Sequence, residues 1–128
     1  MPAIHSFRDL KVYQSARAEA KKIHDVSRHF PREEIYSLTD QVRRSSRAVN
    51  AMLAEAWARR LYKAAFVNKI DEALGEAMET QAWLDHALDC GYIPSETHRT
   101  LDAGWQSVGA MLQRMIEKAD TFCPASRS

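Results

Sequence analysis

Cysteine, glycine and proline are all scarce in this chain, and each scarcity removes a class of protein. The two cysteines, Cys90 and Cys123, stand far apart with no Cys-x-x-Cys or Cys/His ligand spacing around them, which excludes a disulfide framework or zinc module and suits reduced thiols. Four glycines and four prolines in 128 residues exclude collagen-like and low-complexity linker compositions. No apolar run approaches the roughly 18 residues of a membrane span. The opening Met-Pro-Ala-Ile-His-Ser lacks the basic patch, apolar run and cleavage site of an export signal, so a cytoplasmic protein is expected. No Gly-x-Ser-x-Gly, phosphate-loop or dinucleotide fingerprint occurs, and any Ser/His/Asp triad could be drawn only by arbitrary choice.

What remains is a helix-forming composition, 45% hydrophobic and 27% charged, long enough for one packed domain without staples. At 100° per residue, Val12, Ala16, Ile23, Val26 and Phe30 share one arc, with Tyr13 and Ala20 at its edge. This first helix should stop at Pro31, which can itself open the second, with Glu33 and Glu34 suiting the positive helix end. Leu38, Val42, Ser45, Val49, Met52, Leu53 and Ala56 form the second stripe. Continuing that helix would turn Arg60 into the core, where an unpaired guanidinium is costly, so an end near Ala58 is predicted.

Phe66, Ile70, Ala73, Leu74, Ala77, Leu84 and Leu88 make the third stripe, closed by Gly91 with Pro94 beyond. Ser95 then reads as an N-cap before Glu96, and Leu101, Trp105, Val108, Leu112, Met115 and Ala119 line the fourth helix. Helices of roughly 22 to 28 residues joined by short turns predict an all-α, antiparallel up-down-up-down four-helix bundle. The bundle is expected over 1–122, with 123–128 as a frayed tail.

A di-metal site in such a bundle needs Glu-x-x-His pairs, and no acidic residue here has a histidine three places on. His86 and Cys90, four apart, could begin a metal site but lack a third ligand in sequence. The histidines are read as solvent-facing or capping residues, and no catalytic residue, metal or cofactor is expected. Gln81 falls at the centre of the third stripe, where its amide must find a hydrogen bond. Gly104 and Gly109 inside the fourth helix suggest close helix packing.

The net charge is only +1, yet Ser37 to Lys63 carries +4 and Ala64 to Ile93 carries −5. Arg43, Arg44 and Arg47 cluster opposite the core of the second helix with only Asp40 among them, and Arg59, Arg60 and Lys63 extend the strip. Such a strip is a minimal footprint for phosphate backbones, or else an ordinary solvated face. On the third helix Glu72, Glu76 and Glu79 lie outward with Trp83, whose ring would be exposed in a monomer. Basic and acidic faces could meet head-to-tail between subunits and close into a ring; packing of Trp83 within its own chain is the alternative.

Phe7-Arg-Asp-Leu-Lys-Val-Tyr-Gln-Ser-Ala16, Phe30-Pro-Arg-Glu-Glu-Ile-Tyr-Ser-Leu-Thr-Asp-Gln-Val-Arg-Arg44, Ala54-Glu55, Ala73-Leu74-Gly75, Glu79-Thr80-Gln81 and Gly91-Tyr92-Ile93 follow in register. Together they resemble the four-helix bundle family related to the 23S rRNA intervening-sequence protein, which also includes accessory proteins of diversity-generating retroelements. The resemblance implies a cytosolic homopentamer with no established enzyme activity, and suggests RNA or a ribonucleoprotein as the candidate partner. The chain departs from the strongly basic relatives in being nearly neutral, and has Asn50, Met52 and Ala56 where the family pattern has Pro, Asn and Gly. Two functions follow as expectations: a homo-oligomeric scaffold binding RNA through the basic face, or a protein-only interaction module whose charged faces are consumed in the ring.

Overall fold

A computed structural model describes residues 3–124, and the chain in it is helical with no strand among the described residues. A single turn, Phe7–Asp9, comes first: the Ser6 hydroxyl accepts the Arg8 N–H (3.1 Å), and the Asp9 carboxylate accepts the N–H groups of His5 and Ser6 (2.9 and 3.0 Å). Four long helices follow, α1 (Lys11–Ser27), α2 (Leu38–Ala58), α3 (Lys63–Asp89) and α4 (Ser95–Glu117), then a last turn, α5 (Ala119–Phe122). Each long helix packs on its neighbours in sequence, and α1 also packs on α4. None of the described helices is long and apolar enough to cross a membrane.

The core is one seam of four surfaces. Val12, Ala16 and Ile23 of α1, Val42, Val49 and Leu53 of α2, Phe66, Ile70 and Leu84 of α3, and Trp105, Val108 and Leu112 of α4 are buried together. Each large side chain so buried contributes about 1.5–3 kcal/mol of transfer free energy. The buried set on α3 runs Phe66, Ile70, Ala73, Ala77, Thr80, Leu84, Ala87, alternating steps of four and three. That period of 3.5 drifts by about 20° per seven residues from a straight 100° wheel. The drift brings Thr80, not Gln81, to the centre of the stripe and leaves Leu74 and Leu88 half-buried. On α1 Ser27 is buried and Val26 only half so.

Two helix starts differ from the sequence reading. Pro31 is extended and opens a turn at Arg32–Glu34, and α2 begins only at Leu38. Glu34 then serves as the cap that Ser37 does not provide: its Oε1 accepts the Ser37 hydroxyl (2.6 Å) and the Leu38 N–H (3.4 Å). Ser95 is the first helical residue of α4 rather than its cap, because Pro94 takes the flanking extended position and no side-chain cap bond forms. The predicted ends of the two middle helices are as expected. α2 stops at Ala58, and Arg60 stays out of the core with its guanidinium 4.1 Å over the Trp57 ring. Gly91 has φ +76°, the Tyr92 N–H reaches the Ala87 carbonyl (2.9 Å) and the Gly91 N–H that of Leu88 (3.0 Å), a Schellman stop.

Phe122 stacks on Phe66 at 6.0 Å, and Cys123 packs half-buried beside the core, where desolvation raises its thiol pKa. Of the expected tail 123–128, Cys123 packs beside the core and Pro124 is exposed, while 125–128 lie outside the described residues.

Candidate anion-binding groove

The basic strip of α2 divides between two neighbours. An α-helix rotates 100° per residue, so Arg43 and Arg47 fall on the flank toward α1, while Arg44 turns toward α3. On the α3 side, the Arg44 guanidinium donates to Glu76 Oε2 at 2.9 Å and also to Glu79. Glu79 in turn accepts the Trp83 indole N–H at 3.2 Å. Acidic and basic faces thus meet inside one chain at Arg44, Glu76 and Glu79. Trp83 is not the exposed ring expected of a monomer: it is half-buried against its own subunit, in a groove of about 440 Å³ shared with Leu38, Gln41, His86 and Cys90.

At the far end of the strip Lys63 and Arg60 are engaged within the chain. Lys63 pairs with Asp120 at 2.8 Å, the Arg60 guanidinium donates to the Trp57 carbonyl at 2.8 Å, and Arg59 is exposed at the end of α2. Glu72 pairs with Lys69 at 3.0 Å.

On the α1 side the arrangement differs. Arg17, Lys21 and His24 stand at i, i+4 and i+7 and share one face of α1. With Tyr13 and Ala20 of α1 and Arg47 and Asn50 of α2 they line a groove of about 410 Å³. The Asn50 amide donates to the Tyr13 carbonyl at 3.0 Å, tying the floor together and leaving its own oxygen as an acceptor. Arg47 lies 3.3 Å from His24 Nδ1; a guanidinium only donates, so in this contact the imidazole nitrogen is the acceptor. Arg43 Nε donates to the Ser27 hydroxyl at 2.7 Å, locking the α1 end of the strip.

Charge in this groove is unbalanced. Lys21 pairs with Asp25 at 2.7 Å, and that hydrogen bond holds the Asp25 carboxyl below its usual range. Among the described residues, neither Arg17 nor Arg47 has a carboxylate within ion-pair distance. Two unneutralised guanidinium groups beside a lysine, an imidazole and an amide can hold a phosphate oxygen through charge-assisted hydrogen bonds. Arg17, Lys21 and His24 were not singled out in the sequence, although their i, i+4, i+7 spacing was legible; that α1 abuts the Arg47 flank of α2 was not.

The comparisons with known proteins agree with the fold. The family described as 23S rRNA-intervening sequence protein matches residues 8–114. A solved structure from Bacteroides thetaiotaomicron, described as a protein with unknown function from the S23 ribosomal protein family, is similar at 25% identity and a TM-score of 0.75, covering 83% of this chain and 95% of that one. None of the curated proteins matches the chain.

Proposed function

The chain belongs to the 23S rRNA-intervening sequence protein family, and from that premise we propose that it is a non-catalytic, self-associating cytoplasmic scaffold that holds RNA by its phosphates in the α1–α2 groove. The observation that carries this reading is the pair Arg17 and Arg47, lining one groove without carboxylate partners among the described residues. An antiparallel up-down-up-down order is part of the reading. Its support is that Ser45 meets Thr80 while Glu55, further along α2, meets Lys69, earlier on α3.

Titration of a fluorescent single-stranded RNA oligonucleotide with the purified protein at about 50 and 200 mM salt tests it. Affinity should fall with salt, at a slope near −0.7 per phosphate neutralised on single strands. The double reversal R17E/R47E should lower affinity at least tenfold and flatten that slope, with the helical spectrum and the light-scattering mass unchanged. R44E reverses a charge already engaged with Glu76 and Glu79, so it should lower stability and leave RNA affinity within about twofold. Salt-independent retention, or equal binding by R17E/R47E, sinks the reading.

A protein-only module is the second reading, favoured by Ile35 and Tyr36, 49% and 92% exposed on the turn before α2, with Tyr36 lining the Trp83 groove. A second copy of this chain is the occupant proposed for that surface, the homopentamer implied by family resemblance being the assembly expected. Y36E should then reduce the light-scattering mass, and a mass unchanged by it counts against this reading.

A further inference from the structure

The α3–α4 turn brings one side chain of α3 beside two of α4. Asp85 lies near the C-terminal end of α3, while His98 and Asp102 are four apart on α4, so both project from the same face of that helix. His98 Nε2 lies 2.8 Å from Asp85 Oδ1, and one donor atom from each of the three residues lies within 4.8 Å of the others. His98 is mostly covered, its side chain 19% exposed, whereas Asp85 at 67% opens the cluster to solvent.

We propose that Asp85, His98 and Asp102 form a binding site for one divalent transition-metal ion of the zinc class. An ordinary histidine–aspartate pair would need one carboxylate. Here two carboxylates from different helices converge on a single imidazole, and with that imidazole neutral their two negative charges match one dication. The donor set of one nitrogen and two oxygens suits zinc or cobalt, whereas calcium prefers six or more oxygens and magnesium keeps its waters. Supporting groups are in place behind it. The Gln81 amide donates to Asp102 Oδ1 at 3.1 Å and to Gln106 Oε1 at 3.1 Å. That bond orients the Asp102 carboxylate and leaves its other oxygen free to ligate, the role outer groups play around bound metals.

Ligation through Nε2 displaces the proton that faces Asp85: from a neutral ring it moves to Nδ1, from a doubly protonated ring it leaves to solvent, and in either case the ring enters as a neutral ligand. Three protein ligands leave at least one position for water. The site also straddles the Gly91 turn, so a bound ion ties α3 to α4 and should raise thermal stability by mass action.

Tag-free protein freed of metal with a chelator is titrated with Co²⁺, followed by visible absorption, and with Zn²⁺, followed by calorimetry. One equivalent of each ion should bind, with a rise in melting temperature. H98A and D102N should each weaken binding at least tenfold and abolish the melting shift, while circular dichroism in chelator confirms that they fold. D85N, the most exposed change, gives a second check that does not depend on the α4 residues. The pair H86A/C90S should bind as the parent does. Parent-like binding by both H98A and D102N, binding that disappears with H86A/C90S instead, or no stoichiometric uptake by the parent protein overturns the proposal.

Discussion

The hydroxyls of Ser45 on α2 and Thr80 on α3 lie 2.8 Å apart at a point where neither residue has any exposed surface. Each hydroxyl has one proton to give: Thr80 donates to the Glu76 carbonyl at 3.0 Å and accepts the proton of Ser45, for which the Val42 carbonyl at 3.4 Å is the alternative acceptor. The pair is a small polar knot in an apolar seam. Its energetics follow from the asymmetry of buried hydrogen bonds, in which an orphaned partner costs more than the bond itself contributes.

Replacing one member leaves the other partly unsatisfied. S45A and T80V should each destabilise the bundle by about 1–2 kcal/mol, whereas the double change should cost clearly less than the sum, because no hydroxyl is left facing an apolar wall. Urea unfolding of the four proteins measures the coupling. Strict additivity would mean that the two hydroxyls do not act on one another.

That knot also shows what the sequence could and could not say. Apolar stripes on α2 and α4 were legible although the starts of both helices were misplaced and the end of α2 rested only on where Arg60 would fall, and Leu101 through Met115 are buried as the wheel placed them. On the 27-residue α3 a small error in period accumulates, so the wheel chose Gln81 for the centre and passed over Thr80. Gln81 instead sits half-buried against α4, bonded to Asp102 and Gln106. The candidate site was harder to read. A cluster of arginines on one helix announces charge but not which neighbour each faces, and only the packing assigns Arg44 to Glu76, and Arg47 to the groove with Arg17.

The two glycines inside α4 are predicted to be dispensable. A Cβ on Gly109 would meet Leu74 Cδ1 at 3.5 Å, ordinary contact, so close packing does not require glycine there. At Gly104 a Cβ would lie 2.1 Å from Glu19 Oε1, and the carboxylate must move. It is the end of a flexible side chain, and that oxygen has no hydrogen-bond partner. Displacing it risks only the pair with Lys22, itself 54% exposed, worth about 0–1 kcal/mol. The gain in helix propensity is about 0.8–1.0 kcal/mol. G109A should therefore stabilise by up to about 1 kcal/mol, and G104A should range from neutral to a similar gain, both read as melting temperature. A loss beyond about 1 kcal/mol in G104A would show that Glu19 cannot swing away.

Glu34 and Tyr92 couple stability to pH at both extremes. The Tyr92 hydroxyl donates to Glu34 Oε2 at 2.7 Å, joining the turn before α2 to the turn after α3. The Ser37 hydroxyl first and Tyr92 second hold the Glu34 carboxyl below its ordinary 4.5, while donation to Glu34 pushes the Tyr92 phenol up to about 12 from 10.0. A depressed carboxylate favours folding above its unfolded pKa and loses that effect as pH falls through the folded value; a raised phenol favours folding below 10 and loses it as pH climbs toward 12. Denaturant midpoints across pH 3 to 11 should therefore decline at both ends. Y92F should remove the alkaline decline due to this phenol and its late component in the ultraviolet tyrosine titration. E34Q should flatten the acid limb and return the Tyr92 ionisation toward 10. If that late component persists in E34Q, the phenol is raised by something other than its contact with Glu34.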